Sequence, residues 1–389
     1  MSGFERVKPD PGGREGAWLP LARDYAVAMF RRQAVIRATL HGHLTVDSPE
    51  VLEAVEAWEG EAYVHEDDEG VELILVRPPP DEATRWWLHG LLLAATMVTT
   101  LMSGALMMGI DPMGTSSFRV GTLWIPYPTE VDLGRLLEGA PFAFPFVGVL
   151  LAHEMGHYAM ALRHRIRATP PYFIPFPAYF SVVGSLGAFI RIKGPIVRRS
   201  VLLDIGAAGP VASFLTSVPL VIWGLSMSQT APGSADVLTP FVVPFAGEAL
   251  WVGNSLAMSL LALPVLPDGL GVHPVVLHPA AFAGWLGLFV TALNLLPMGQ
   301  LDGGHILHAL EPRWQARAGR LFLLSLLPLG FMWWGWWVWA VAAVLVNRGR
   351  MRHPPVLQPA PDPDGLRRAV AWFCIICFFL TFVPVPLRF

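Results

Sequence analysis

His153-Glu154-Met155-Gly156-His157 forms an H-E-x-x-H pentapeptide inside the apolar run from Pro141 to Leu162. On a helix, positions i and i+4 share one face, so both imidazoles can reach a single zinc ion. The intervening glutamate then lies close enough to take a proton from a water on that ion, whose pKa the metal lowers to about 7. Such a zinc needs a third protein ligand and an open fourth position. Asp302 is the candidate, in the stretch Asn294-Leu295-Leu296-Pro297-Met298-Gly299-Gln300-Leu301-Asp302-Gly303-Gly304. It follows an apolar run, and flanking glycines let backbone and carboxylate approach a metal closely. Alone, Leu301-Asp302-Gly303-Gly304 reads equally as a turn; beside H-E-x-x-H the ligand reading prevails. Ionisable groups within an apolar helix cost several kcal/mol each and mark function.

The elements that must position these groups belong to a membrane protein. The chain has 389 residues, of which 53% are hydrophobic and only 15% charged, against about a quarter in soluble proteins. Mean hydropathy is +0.49. With a net charge of −3 nothing suggests a nucleic-acid partner, and Lys and Arg gather instead at the ends of apolar runs, as expected beside a lipid bilayer. The runs are Trp86–Met108, Pro141–Leu162, Leu202–Met227, Ala280–Leu296, Leu321–Val346 and Ala369–Val385. The expected fold is an all-α polytopic membrane protein of about six to seven transmembrane segments. A β-like membrane-associated loop over 170–193 and a small N-terminal α+β domain complete it. A disordered N-terminus is expected over 1–17 and the soluble domain over 18–81. In that domain the pattern predicts strands Val35–Leu44, Ala62–Glu66 and Val71–Arg77, and a helix Pro49–Trp58 capped by Ser48. A core spans 86–346, followed by a Pro-rich connection over 347–367 and a C-terminal transmembrane segment over 368–389.

Charge also sets orientation. Arg163, Arg165, Arg167, Arg191, Lys193, Arg198 and Arg199 crowd the loop after the second run, whereas Ser228–Pro279 has neither Lys nor Arg. The first loop is therefore expected in the cytoplasm with the N-terminal domain, and the second outside. Arg313, Arg317 and Arg320 agree. Arg348, Arg350 and Arg352 agree only if Leu321–Val346 is a bent hairpin about Pro328-Leu329-Gly330. The stretch Met1–Arg14 has no apolar h-region and no transit-like leader, which favours a bacterial plasma membrane.

The paired motifs H-E-x-x-H and N-x-x-P-x-x-x-L-D-G resemble the site-2 protease family of intramembrane zinc metalloproteases, over roughly residues 86–345. The resemblance implies one Zn²⁺ per chain held by His153, His157 and Asp302, with Glu154 as general base. Asn294 matches a family Asn that helps polarise the substrate carbonyl. The implied substrate is a membrane-spanning protein, such as a tethered regulator released by cutting. Gly209-Pro210-Val211-Ala212-Ser213 resembles the family's G-P-x-A-N element, with Ser213 in place of Asn. No PDZ-like or CBS-like domain is evident. The segments Pro171–Pro175 and Gly184–Ala188 look closer to the bacterial and plastid branch with a small N-terminal domain.

A substrate helix must unwind before its peptide bonds can be attacked. Gly184, Ser185, Leu186, Gly187 and Ala188 are suited to pair with the unwound segment as an added strand; the plainer alternative is a cytoplasmic loop without substrate contact. His305 and His308 read as packing beside the site, and His41 and His43 as an exposed strand face. Cys374 and Cys377 read as small packing residues rather than a metal or redox pair, and the Trp cluster 333–339 as interfacial packing. Two other classes compete: an inactive relative that holds membrane clients, and a zinc transporter. Transporters tend to carry internal repeats and ionisable residues on several spans; here the candidates converge on two runs.

Overall fold

The computed structural model describes residues 16–30, 33–67, 70–77, 83–114, 116–127, 129–130, 132–196, 198–266, 272–347, 349, 351, 353, 356 and 363–388. The N-terminal segment expected to be disordered and the Pro-rich connection lie largely outside these residues. The chain divides into two compact units, one of residues up to Thr84 with 166–168 and 192–195, the other of the remainder.

The first unit is a four-stranded antiparallel sheet of β1 (Ala22–Phe30), β2 (Gln33–Leu40), β3 (Glu61–Asp67) and β4 (Gly70–Val76), in the order β1-β2-β4-β3. Helix α1 (Pro49–Glu56) connects β2 to β3. Ile36, Ala38 and Leu40 alternate with Val71, Leu73 and Leu75 on the neighbouring strand to bury one face around Trp18, Val51 and Trp58, the period-two pattern of a half-buried sheet. The expected β-α-β-β order is present, preceded by a strand that the sequence pattern misses. β1 is an edge strand with Arg23, Asp24 and Tyr25 exposed in succession, so no clean alternation marks it. Ser48 stands at the N-cap position, but its hydroxyl accepts from the Thr45 N–H at 2.9 Å instead of capping α1. His41 and His43 are exposed as expected, although they lie in the turn after β2 and not on a strand.

Among the described residues of the second unit, three helical stretches are long and apolar enough to cross a membrane. These are α2 (Trp86–Met107), the stretch Leu133–Arg163, which comprises α3 (Leu133–Leu136) and α4 (Ala140–Arg163), and α5 (Arg199–Ser226). Between α2 and α3 stands a hairpin of β5 (Ser116–Val120) and β6 (Leu123–Tyr127). A second hairpin, β7 (Tyr172–Pro175) with β8 (Ser185–Phe189), follows α4. It runs the length of α2. The Pro171 carbonyl lies 3.0 Å from His89 Nδ1 near the start of that helix, and the Tyr179 hydroxyl donates to Asp111 Oδ1, beyond its end, at 2.6 Å. Residues β9 (Gln229–Thr230), β10 (Phe241–Phe245), β11 (Glu248–Val252) and β12 (Val275–Val276) form a five-stranded sheet with β13 (Leu387–Arg388), in the order β13-β11-β10-β12-β9. Helix α6 (Leu256–Ala262) lies between β11 and β12 in sequence.

The remaining helices are α7 (Pro279–Asn294), α8 (Asp302–Leu310), α9 (Pro312–Met332), α10 (Gly335–Val346) and α11 (Gly365–Thr381). Small residues let α5 approach its neighbours: a Cβ on Gly156 of α4 would lie 2.5 Å from the Ala208 carbonyl, and one on Gly224 would lie 2.2 Å from Ala281 N of α7. Close backbone approach of this kind is how helices associate in lipid, where hydrophobic burial gives little drive. The expected hairpin within 321–346 is present, but it turns at Trp333-Trp334, while Pro328 sits inside α9. Proline there removes only one ladder hydrogen bond, and the helix continues through it. Its two ends return together, with Gln315 Nε2 donating to the Met351 carbonyl at 3.0 Å. Cys374 and Cys377 are buried free thiols packed against Leu202, Leu203 and Ile306, in agreement with the packing reading.

Candidate metal centre

Helix α4 carries His153 and His157 one turn apart, as their spacing requires, and α8 opens with Asp302. The chain between α7 and α8 is folded back at Pro297–Gly299, where Gly299 has φ 51°, which aims the first residue of α8 at α4. His153 Nε2 and His157 Nε2 are 3.1 Å apart, and each lies 3.3 Å from Asp302 Oδ2. Three donors at about 2.1 Å from a tetrahedral zinc stand about 3.4 Å from one another, so the triangle fits that ion and leaves its fourth position open. Among the described residues these three form the one His/Cys/Asp/Glu group with such convergence. The two histidines are buried, and Glu154 beside them is also only 6% exposed; unpaired charge at that depth is costly, which a cation would relieve.

The far side of each imidazole is held. His157 Nδ1 faces the Ile205 carbonyl of α5 at 2.7 Å, five residues before Pro210. His153 Nδ1 lies 3.2 Å from Ser213 Oγ, which is 2.7 Å from Thr291 Oγ1 on α7; the Thr291 hydroxyl donates to the Gly287 carbonyl at 2.7 Å. Acceptors placed at Nδ1 put the proton there and leave both Nε2 lone pairs toward Asp302, the tautomer a metal ligand needs. Gly209 makes this fit possible, since a Cβ there would sit 2.1 Å from His157 Nε2.

Asn294 at the end of α7 reaches the same centre, with Nδ2 3.2 Å from His153 Nε2. The Glu154 carboxylate faces the Ile190 N–H, just past β8. That contact brings the β7–β8 hairpin to the centre. Gly184 has φ +72° and packs on α2, where a Cβ would lie 2.3 Å from the Thr99 carbonyl. Ser185 Oγ donates to the Ile174 carbonyl at 3.0 Å and accepts from the Gly187 N–H at 3.0 Å. Leu186 points outward, 64% exposed, and Ala188 pairs with Phe173.

His305 and His308 stay outside the triangle, as expected. Both pack on His353, with His305 Nδ1 2.8 Å from His353 Nε2. Sequence reasoning missed Thr291, the Ile205 carbonyl and the Ile190 N–H. Thr291 lies one helical turn before Asn294 and was findable by that spacing; the two backbone groups leave no trace in residue type. Beyond the centre, Arg367 of α11 holds Asp204 of α5 with two hydrogen bonds of 2.9 Å, and His164 at the end of α4 lies 2.9 Å from the same carboxylate.

Residues 141–321 match the description Peptidase family M50. The probable zinc metalloprotease EGY1, chloroplastic, of Arabidopsis thaliana is 31% identical over 249 residues, covering 63% of this chain and 43% of that protein. Its namesake from Oryza sativa subsp. japonica is 30% identical over 262 residues, covering 67% and 43%. The probable zinc metalloprotease EGY2, chloroplastic, of Arabidopsis thaliana is 28% identical over 261 residues, covering 66% and 44%. The aligned part is thus less than half the length of these relatives. Their chloroplastic names give no support to a bacterial plasma membrane. No solved structure matches. Both halves of the paired motif lie inside the matched region, which is just under half of the chain, and fold onto one centre, so residues 141–321 are similar to peptidase family M50.

Proposed function

We propose that this protein is an intramembrane zinc metalloprotease that hydrolyses peptide bonds of membrane-spanning protein substrates. The observation that carries the reading is the triangle of His153, His157 and Asp302, with Nε2 and Oδ2 atoms 3.1 to 3.3 Å apart beside Glu154 on an apolar helix. Zinc, when bound, supplies the Lewis acid that makes a water nucleophilic at neutral pH. His153, His157 and Asp302 would hold it. Glu154 takes the proton of the attacking water and returns it to the leaving amine. The Asn294 amide donates to the scissile carbonyl as charge builds on its oxygen, a stabilisation worth several kcal/mol at such sites.

The β7–β8 hairpin presents the unwound substrate. Gly184, Ser185, Leu186, Gly187 and Ala188 offer backbone groups along β8, and the Ile190 N–H already reaches Glu154, so a strand added there passes the base. Three long helices with α7, α9, α10 and α11 make seven membrane segments. Arg199 at the start of α5 donates to the Ala309 and Leu310 carbonyls just before α9, which supports a reading with Arg313 and Arg317 on the same side as the Arg-rich loop after α4. By the positive-inside rule the N-terminal unit and the zinc-proximal end of α4 face the cytoplasmic side.

The test is cleavage of a model transmembrane substrate by purified wild type and by Glu154→Gln, with zinc quantified in both. Cleavage by the wild type alone, at about one zinc per chain in each, is the expected result. Zinc without cleavage in either would replace the protease by a client-holding relative. A well-folded wild type without zinc would overturn the reading altogether.

A further inference from the structure

The β5–β6 hairpin has no role in the chemistry above, yet its surface is unusual. The register pairs Ser116 with Tyr127, Phe118 with Ile125 and Val120 with Leu123, which puts these six on one face of the pleat. Five of them are large and apolar or aromatic. All five are open: Phe118 is 48% exposed, Val120 53%, Leu123 69%, Ile125 36% and Tyr127 42%. The opposite face carries Ser117 and the Arg119 guanidinium, which lies 5.9 Å over the Trp124 ring. Arg119 is the only charged residue from 116 to 127. The base is acidic and firmly stitched: Asp111, Glu130 and Asp132 lie there, and the Thr129, Glu130 and Asp132 N–H groups donate to the Met113 and Pro112 carbonyls at 2.9 to 3.1 Å.

A lone two-stranded ribbon is marginal in water, and an exposed face on which five of six residues are apolar or aromatic marks an interaction surface. Here the occupant follows from continuity. The ribbon is tethered within a few residues of the end of α2 and of the start of α3, both parts of membrane-length helices. Leu133 and Leu137, exposed at 69% and 63%, carry the apolar surface on towards α4. Trp, Tyr and a snorkelling Arg above an apolar tip, with carboxylates kept at the base, are what the headgroup boundary selects. We propose that the β5–β6 hairpin is a lipid-binding foot, with Phe118, Val120, Leu123 and Ile125 seated in the phospholipid interface at the membrane face where α2 ends and α4 begins. Seated there, it fixes the depth at which α4 enters the bilayer.

The experiment uses the full chain in phospholipid nanodiscs, with single cysteines replacing Val120, Leu123, Ile125 or, as a water-side control, Ser234. Cys374 and Cys377 are changed to Ala. An environment-sensitive fluorophore on each is exposed to lipids bearing a nitroxide at acyl carbon 5, and separately to iodide. Labels at 123 and 125 are expected to be quenched by the nitroxide several-fold more than at 234, and to be protected from iodide. Iodide quenching equal to that at 234 overturns the proposal. So does protection from both quenchers accompanied by crosslinks between copies, or lipid-independent protection that appears only with added substrate. If a labelled variant misfolds, by loss of its thermal transition, Thr122 at the tip provides the same readout. None of these outcomes depends on zinc or proteolysis.

Discussion

Ser213 shows how a residue that departs from its family's pattern can still serve the same centre. Its hydroxyl bridges His153 Nδ1 and Thr291 Oγ1, so a two-residue relay holds the far side of this imidazole. Ser213→Ala is expected to weaken zinc binding 10- to 100-fold, on the order seen when a ligand's outer hydrogen bond is removed. Thr291→Ser, which keeps the hydroxyl, should stay near wild type. Both are measured by competition with a fluorescent chelator. Gly209→Ala tests the space beside His157. A Cβ 2.1 Å from Nε2 forces the ring aside, so zinc loss is expected together with about 1–3 kcal/mol of destabilisation from overpacking, read by metal content and thermal melting. His153, Glu154 and His157 were legible because an i, i+4 spacing needs only one helix. Thr291 and the Ile205 carbonyl became visible only when α5 and α7 were placed against α4.

At the scale of elements, most membrane-length helices follow the apolar runs to within a few residues, since length and hydropathy are local properties, although α9 begins at Pro312, well before the run from Leu321. Turns were less legible. The hairpin of α9 and α10 bends at Trp333-Trp334, where Gly330 faces the Trp337 ring, whose Nε1 donates to the Leu327 carbonyl at 3.1 Å. A proline pattern cannot announce that. The β-like stretch 170–193 was recognisable by its Gly and aromatic content, but its course along α2 was not. Gly184→Ala probes that course. Its φ of +72° and the Thr99 carbonyl 2.3 Å from a Cβ should displace β8 from α2. The expected outcome is a loss of cleavage of tenfold or more with zinc content unchanged, which separates presentation of substrate from metal binding.

For the whole molecule, topology makes a prediction that a single-crossing reading of 321–346 fails. Cysteines at Arg317 and Asp364 should react with an impermeant maleimide from one side of sealed vesicles, and one at Asp236 from the other. Removing the metal with a zinc chelator should abolish cleavage and restore it on readdition, while the N-terminal unit, with its own buried core, keeps its secondary structure by circular dichroism. The sequence by itself determined membrane residence, the positions of the helices, both halves of the paired motif and the chemistry they could share, because periodicity, hydropathy and ligand spacing act over a few turns. Only the tertiary structure decided that Asn294, 141 residues beyond His153, and Asp302 close on one point. It also decided which neighbours hold the imidazoles and that an external ribbon turns an apolar face outward. Convergence over such separations depends on how helices pack, and that is set by small residues at their crossings acting together rather than by any local stretch.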